Sequence, residues 1–231
     1  MKSFLFTIML AFMPLVMSAQ ELLDDVQGSK IAIIKKAWRS HVFHMESGGI
    51  APGIHDFMFA FSKECSAFEP VKAMAYYLKS PKEFKASGDK NFTTESVDYN
   101  FSYTIHDNPR YGYMSCNAGS QFDNGLQCCY WKRKNGHRLV AIYLVEEFEN
   151  PSFNEHLLMF YDYNPVNHTM TPETTLTDMV EKKIGRFDSW AVTLPEIGKD
   201  VIVSGYTFTD DDSAVEKKFT MLWDGQIFKF K

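Results

Sequence analysis

Five basic or titratable side chains lie within seven consecutive residues of an otherwise acidic sequence, whose formal net charge is −5. The set is Lys132, Arg133, Lys134, His137 and Arg138. It surrounds Asn135-Gly136, the strongest short-range signal for a tight β-hairpin turn. A two-residue type I′ turn sets Trp131 opposite Val140 and Arg133 opposite Arg138, and like charges placed opposite each other repel. The cluster therefore predicts an anion contact at the hairpin tip; a solvated turn that discourages edge-to-edge aggregation is the alternative.

The composition limits the partners of such a contact. The chain has 24 Lys and Arg against 29 Asp and Glu, so it lacks the global excess of positive charge with which a general nucleic-acid binder neutralises phosphates. An acidic polysaccharide, a lipid headgroup or an acidic protein surface would fit the tip. We expect an acidic glycan or an envelope protein as the partner, and no nucleic acid.

Four cysteines are candidates for disulfide bonds: Cys65, Cys116, Cys128 and Cys129. Neighbouring cysteines rarely bridge each other, so we expect Cys65 and Cys116 each to pair with one of the adjacent two. Adjacent residues of a strand point to opposite faces, which would put one bridge on each side of a sheet. Buried free thiols are the alternative. The sequence has no CxxC spacing to indicate a zinc site.

Other residues with catalytic potential form weaker patterns. His41 and His44 are three residues apart, with Glu46 close behind, a spacing that allows metal binding on one helix face. The His-Glu-x-x-His spacing of zinc proteases is missing from the sequence, so a polar helix end is the preferred interpretation. His55-Asp56 and His106-Asp107 are neighbours in sequence, which does not place their side chains in a catalytic hydrogen bond. The sequence also has no Gly-x-Ser-x-Gly motif, and we expect neither a metal nor a cofactor.

The sequence pattern of the elements that must position these residues changes near residue 85, from helices to strands. Before it the apolar spacing is helical, and three helices are expected. The first lies within residues 21–45, the second follows Pro52, and the third begins near Pro70. Residues 20–85 are therefore expected to form a helical N-terminal segment.

After residue 95 the pattern is one of short strands and turns. The strand Leu139 to Val145 is apolar on both faces, so a layer must cover each side, and the N-terminal helices are expected to be one cover. Further strand connections are expected at Asn164-Pro165, Pro195 to Gly198 and Asp224-Gly225. The fold class is therefore α+β: N-terminal helices packed on a mostly antiparallel β-sheet meander, with residues 86–231 as the β region of the same domain.

The first nineteen residues have the three parts of a secretory signal peptide. Lys2 supplies the positive charge, Phe4 to Val16 is apolar, and Ala19 ends a small-residue cleavage site before Gln20. The alternative is a membrane anchor, but the apolar stretch is shorter than the roughly 20 residues that a spanning helix needs. We expect residues 1–19 to be removed and the protein to be exported, to the periplasm, the cell surface or the medium, without spanning a membrane.

Four short sequence segments of strand and turn residues are distinctive: Cys129 to Val140, Phe160 to Pro165, Leu194-Pro195 and Trp223 to Phe228. They resemble segments in a group of uncharacterised secreted proteins of Bacteroidetes, and the resemblance covers most of residues 50–231. It implies an exported compartment. That group carries no known activity, so the resemblance transfers no functional residues.

Two functional classes are compatible with these patterns. The favoured one is a non-catalytic secreted or periplasmic protein that binds a ligand or partner, because a basic hairpin tip is present and no catalytic motif is. The alternative is an exported hydrolase whose site is assembled from loop carboxylates and histidines. A deep pocket with at least two convergent ionisable groups would distinguish the hydrolase.

Overall fold

The computed structural model describes residues 30–46, 51–81, 91–96, 99–119, 124–147, 154–209 and 213–231, with backbone only for 91–102 and 119. The predicted signal peptide, residues 1–19, and the predicted boundary near residue 85 lie outside these ranges. The described residues form three layers: N-terminal helices, a central antiparallel sheet, and a smaller antiparallel sheet with one further helix. The predicted α+β class, with helices on a mostly antiparallel meander, is confirmed.

The first layer consists of three helices: α1 (Lys30–Ala37), α2 (Ile54–Glu64) and α3 (Glu69–Lys79). α2 begins where the Asp56 carboxylate accepts a hydrogen bond from the Gly53 backbone N–H at 2.7 Å. α3 carries Pro70 in its first turn, where a missing N–H breaks no helical hydrogen bond. Apolar side chains such as Phe57 and Met74 are buried between these helices and the sheet. The predicted second and third helices are confirmed.

The first helix lies within the predicted range, residues 21–45, but it does not extend to His41 and His44. α1 ends at Ala37, a 3-10 turn follows at Trp38–Ser40, and the chain then forms the short edge strand β1 (Phe43–His44). Extended backbone lets Phe43 reach the core, where it is 1% exposed, and this tertiary contact overrides the helical periodicity. His41 and His44 therefore do not share a helix face, and the spacing argument for a metal no longer applies to them.

The second layer is the central sheet. Besides β1 it contains β2 (Asn91–Ser96), β3 (Tyr99–Asn108), β4 (Tyr113–Gly119), β5 (Asn124–Lys132), β6 (Arg138–Glu146), β7 (Glu155–Asn164) and β8 (Thr169–Pro172). The order of the eight strands is β1-β8-β7-β6-β5-β4-β3-β2. From β2 to β8 each strand pairs antiparallel with the next one in sequence, so this part of the sheet is a simple meander.

The hairpin between β5 and β6 has a register different from the predicted one. Gly136 has a positive φ of +86°, and its N–H donates to the Arg133 carbonyl oxygen at 3.1 Å. The connection is a three-residue loop with a glycine bulge, not a two-residue type I′ turn. The extra loop residue moves the pairing by one position, so Trp131 lies opposite Leu139 and not opposite Val140.

The third layer combines a four-stranded sheet with a helix that the sequence patterns did not predict. The helix is α4 (Thr174–Ile184), and the strands are β9 (Ser189–Thr193), β10 (Val201–Phe208), β11 (Ala214–Trp223) and β12 (Phe228–Phe230). They pair antiparallel in sequence order. The predicted strand connections at Pro195 to Gly198 and at Asp224-Gly225 are confirmed, but the β region is divided into two sheets.

Strand β6 lies between two hydrophobic cores. Its even-numbered residues from Val140 to Leu144 face α1–α3, and its odd-numbered residues from Leu139 to Tyr143 face the second sheet and α4. All of them are at most 3% exposed. Full burial contributes roughly 1.5–3 kcal/mol for each large apolar side chain, so both covering layers stabilise this strand. The expectation that the N-terminal helices cover one face of β6 is confirmed.

The disulfides predicted from the sequence are not formed: all four cysteines lie within described residues and are free thiols. Cys65, Cys116 and Cys128 belong to the core on the helix side, whereas Cys129 belongs to the opposite core. The backbone of the sheet therefore separates Cys129 from the other three. Burial raises the pKa of Cys65 and of Cys116 to about 12, which keeps both thiols protonated at neutral pH. Cys116, Cys128 and Cys129 are therefore buried free thiols, as in the alternative interpretation, and Cys65 is a half-buried one.

We predict that Gly205→Ala destabilises the second sheet. A Cβ at this position of β10 would lie 2.5 Å from ring carbons of Phe187, and overpacking of this kind costs about 1–3 kcal/mol. Urea denaturation measures the loss as a change in the free energy of unfolding. The control is the same substitution in a Phe187→Ala background, where no ring remains and the effect should fall below about 0.5 kcal/mol. An undiminished loss in that background would contradict the clash.

Candidate functional site

Part of the basic hairpin tip belongs to an internal ion-pair network. Arg133 donates from Nη1 to Asp162 Oδ1 at 2.6 Å and from Nη2 to Glu173 Oε2 at 3.3 Å, and its side chain is only 8% exposed. His137 Nδ1 lies 2.6 Å from Asp162 Oδ2. Both oxygens of the Asp162 carboxylate are thus in use. Arg133 and His137 hold the tip against β7 and the segment that precedes α4.

The two remaining strand residues of the basic cluster form a cationic pair. Lys132 at the end of β5 lies directly opposite Arg138 at the start of β6. The Arg138 guanidinium carbon is 5.0 Å from the centroid of the Tyr130 ring, a cation–π contact that holds it beside the strand. Among the described residues, neither Lys132 nor Arg138 forms an ion pair with a carboxylate. Two like charges therefore face each other across the hairpin without a compensating anion from this part of the chain.

Lys134, in the turn itself, contacts a different hairpin. Its backbone N–H donates to the Gly225 carbonyl oxygen at 3.0 Å, and its side chain crosses Gly225, where an added Cβ would meet Lys134 Cε at 2.8 Å. Gly225 has a φ of +94°, so the turn between β11 and β12 requires glycine for its backbone as well. The basic tip is consequently fixed on both sides, by Asp162 and by this turn.

The predicted five-residue anion site is therefore split by the structure. Arg133 and His137 are bound to carboxylates of the chain, whereas Lys132, Lys134 and Arg138 keep their charges at the tip. The bulged turn is responsible, because it pairs Lys132 with Arg138 and leaves Arg133 to reach Asp162. Anion binding by the remaining three side chains stays a prediction.

A second candidate site lies at the other end of β7. There a cleft of about 220 Å³ opens between α1, the start of β7 and the start of β9. Its lining consists of Lys35, Asn154, Glu155, His156, Asp188, Ser189 and Trp190. We call it the His156 cleft. Sequence reasoning did not single out any of its ionisable residues as a site, although a histidine in the apolar run of a buried strand was visible as a signal.

The His156 imidazole has one satisfied and one unsatisfied nitrogen. Tyr143 Oη is 2.8 Å from His156 Nδ1 and accepts a hydrogen bond from the Val192 backbone N–H. Burial raises the pKa of Tyr143, so its hydroxyl keeps its proton, and we assign that proton to the hydrogen bond with Nδ1. The neutral ring then carries its own hydrogen on Nε2. That nitrogen is buried and has no hydrogen-bond partner among the described residues.

The surroundings of His156 keep its imidazole neutral. The residue is 9% exposed, and its ring lies between Tyr143 and Trp190, with centroid distances of 6.2 and 5.3 Å. Burial lowers the pKa of His156 to about 4, and the positive charge of Lys35 adds to the shift. At neutral pH the ring is therefore a neutral imidazole and not an imidazolium.

Two histidine–carboxylate pairs lie elsewhere on the central sheet. His55 Nε2 on α2 is 2.9 Å from Asp107 Oδ1, and the same carboxylate accepts a hydrogen bond from Tyr77 Oη at 2.6 Å. His106 Nε2 is 2.8 Å from Glu196 Oε1. Because residues 106 and 107 are neighbours on β3, their side chains point to opposite faces of the sheet. The two pairs do not converge on one site, and the sequence neighbours Asp56 and Asp107 are not the partners of His55 and His106, respectively.

Within the described ranges, no group of three or more His, Cys, Asp or Glu residues is arranged to hold a metal ion. No helix in the same ranges is long and apolar enough to cross a bilayer. No family model, curated protein or solved structure matches the chain. The functional argument therefore rests on the geometry of the hairpin tip and of the His156 cleft.

We predict that Arg133→Met destabilises the protein by about 3 kcal/mol, because the partly buried Asp162 and Glu173 carboxylates then lose their main cationic partner. Urea denaturation at neutral pH measures the loss. The matched control is Lys132→Met, the same substitution one residue earlier at an exposed position without an ion pair among the described residues, which should not destabilise the protein, because it removes the like-charge repulsion with Arg138. Equal losses for both variants would contradict the assigned roles.

We predict that His156 contributes to acid destabilisation. Its pKa is about 4 in the folded chain and 6.5 as a reference, so the unfolded chain binds the proton first as the pH falls. The stability present above pH 6.5 is lost between pH 6.5 and 4, by about 3 kcal/mol in total. In His156→Asn, whose amide can still accept from Tyr143, denaturation midpoints should fall less steeply over this range.

His55 is a control, because its effect on the pH dependence of stability has the opposite sign. The hydrogen bond to Asp107 raises the pKa of His55, so its contribution is complete below pH 6.5 and is lost as the pH rises through the folded-state pKa. His55→Gln should therefore lower stability more at acidic than at neutral pH. A His156→Asn variant with the same acid dependence as wild type would show that His156 is not the group that titrates.

Proposed function

We propose that this protein is an exported, non-catalytic binding module that holds an acidic ligand at its basic hairpin tip. The contact residues are Lys132 and Arg138, which form the cationic pair, and Lys134 in the adjoining turn. The ligand class is an acidic glycan, because a flexible chain with repeated negative charges can follow all three side chains around the tip.

The observation that carries the proposal is the cationic pair itself. Lys132 and Arg138 are directly opposite each other in the β5–β6 ladder, and like charges in such positions destabilise a strand pair by up to about 1 kcal/mol. Neighbouring Arg133 and His137 have carboxylate partners, whereas no described carboxylate pairs with Lys132 or Arg138. A bound anion between the two side chains would convert the repulsion into attraction.

The tip suits binding better than acid–base chemistry. A general base must have a lone pair that can reach the substrate, but both oxygens of Asp162 already accept hydrogen bonds from Arg133 and His137. The histidine–carboxylate pairs at His55 and His106 lie on opposite faces of β3. These features favour the binding module over the hydrolase.

Export is part of the same proposal. Its support is the signal-peptide pattern of residues 1–19 and the resemblance of the strand and turn phrases to secreted proteins of Bacteroidetes. Acidic polysaccharides are found on cell surfaces and outside cells, so an exported compartment and an acidic glycan ligand are consistent with each other. The buried free thiols need no oxidising compartment, and they do not argue for or against export.

We predict that Lys132→Ala/Arg138→Ala weakens binding to heparin and to dextran sulfate about tenfold, which corresponds to about 1.4 kcal/mol. The measurement is salt elution from the immobilised polymers, with uncharged dextran as the blank. The matched control is Lys217→Ala/Lys218→Ala, which removes two exposed charges from β11 and should elute with wild type. Elution of all three proteins at one salt concentration would refute the proposed tip site.

A further inference from the structure

The turn between β3 and β4, residues 109–112, is fixed beside the basic hairpin tip by one aromatic ring. Gly112 has a φ of +70°, and an added Cβ would lie 2.6 Å from Cε1 of the Tyr130 ring. The Tyr130 N–H also donates to the Gly112 carbonyl oxygen at 3.2 Å. Because the Arg138 guanidinium carbon is 5.0 Å from the centroid of the same ring, Tyr130 connects this turn to the cationic pair. We call residues 109–112 the Tyr111 turn.

The Tyr111 turn presents an aromatic ring and a cation to solvent. Tyr111 is 48% exposed, and the guanidinium carbon of the exposed Arg110 lies 5.6 Å from the centroid of its ring. The N–H groups of Tyr111 and Gly112 donate to the carbonyl oxygens of Asn108 and Pro109, at 3.1 and 3.2 Å. Both side chains are therefore accessible to a ligand, on a backbone that is held in place.

Arg110 resembles the cationic pair in its surroundings. No carboxylate within the described ranges forms an ion pair with it, and its cation–π contact with Tyr111 positions the charge without neutralising it. The Glu196 carboxylate near the end of β3 is already engaged, since Oε1 accepts from Asn108 Nδ2 at 2.7 Å and lies 2.8 Å from His106 Nε2. The positive surface of the tip therefore continues to this turn.

An aromatic ring beside cations narrows the class of anion that the surface fits. Cations alone can bind any polyanion, whereas a tyrosine ring packs on the C–H face of a sugar and finds no ring to contact in a polyphosphate. Single-stranded nucleic acid also combines charge with rings that stack on aromatic side chains, but the net charge of −5 argues against it. The combination favours an acidic glycan.

We propose that the Tyr111 turn is a second subsite of the basic hairpin tip, in which Tyr111 stacks on a sugar ring and Arg110 binds a carboxylate or sulfate group of the same glycan. The inference rests on the proposed function, because Lys132 and Arg138 supply the first contact with that chain. It adds recognition of the sugar ring to recognition of charge, so a sulfated glycan is distinguished from a polyanion without rings.

The test is calorimetry with a heparin oligosaccharide, inorganic polyphosphate and a thymidine oligonucleotide. Tyr111→Ala should weaken heparin binding about fivefold, the effect of losing one aromatic stacking contact, and leave polyphosphate binding unchanged. Tyr111→Phe keeps the ring and should bind both polymers as wild type does. The matched control is Phe208→Ala, which removes an exposed aromatic ring from β10 and should also bind both as wild type does.

Arg110→Gln tests the cation separately from the ring. It should weaken the binding of heparin and of polyphosphate alike, and it should reduce the slope of log affinity against log salt concentration by about one. Tyr111→Ala should leave that slope unchanged, because stacking releases no counterions. A purely structural role for Tyr111 would instead change the binding of both polymers.

Three outcomes would overturn the proposed subsite. They are unchanged heparin binding in Tyr111→Ala, equal loss of heparin and polyphosphate binding in that variant, and tighter binding of the oligonucleotide than of heparin.

The variant Lys132→Ala/Arg138→Ala distinguishes this proposal from the proposed function. If it loses heparin binding and Tyr111→Ala does not, the tip site stands and the subsite is refuted. If Tyr111→Ala loses heparin binding and the double variant does not, the tip contact fails and the stacking role of Tyr111 stands.

Discussion

The fold depends on the burial of β6 on both faces. Seven consecutive residues from Leu139 to Val145 are apolar, and a strand of that kind is stable only when each face is covered by another layer. The N-terminal helices cover one face, and the second sheet with α4 covers the other. The three-layer architecture and the placement of the flanking strands in both cores follow from this one requirement.

The sequence predicted the parts of the fold that depend on local signals. α2 and α3 have helical spacing with Asp56 or Pro70 at their starts. Gly198 lies between β9 and β10, and Gly225 lies between β11 and β12. α4 was missed because its first turn, Thr174 to Thr177, contains three threonines, which have low helix propensity. Leu176, Val180 and Ile184 stabilise it through contacts with the second core, and that tertiary packing has no local signal.

The register of the basic hairpin shows why a site is harder to predict than a fold. Asn-Gly is compatible with a two-residue turn and with a three-residue loop that ends in a bulge. The two differ by one residue, which changes the partners of every charged side chain at the tip. The observed loop puts Arg133 within reach of Asp162, an acidic residue on a strand 29 positions away. The five basic residues could be recognised from the sequence, but their division into structural and exposed members could not.

The cysteines and His156 are related cases, since both depend on which face of the sheet a residue occupies. Cys129 and the other three thiols are on different faces, so an even number of cysteines and an expected exported compartment were insufficient grounds for bridges. The hydrogen bonding and the pKa of His156 depend on Tyr143, Val192 and Lys35, which come from three other elements.

Both faces of β6 are covered, so its two ends are where polar side chains can reach a ligand. The tip residue Arg138 and Val145, the strand partner of His156, are seven residues apart on β6, a distance of roughly 20 Å at the rise of an extended strand. That exceeds the Debye length of about 8 Å at physiological ionic strength. The charges of the basic tip therefore have little influence on the pKa of His156, which its own burial and Lys35 determine.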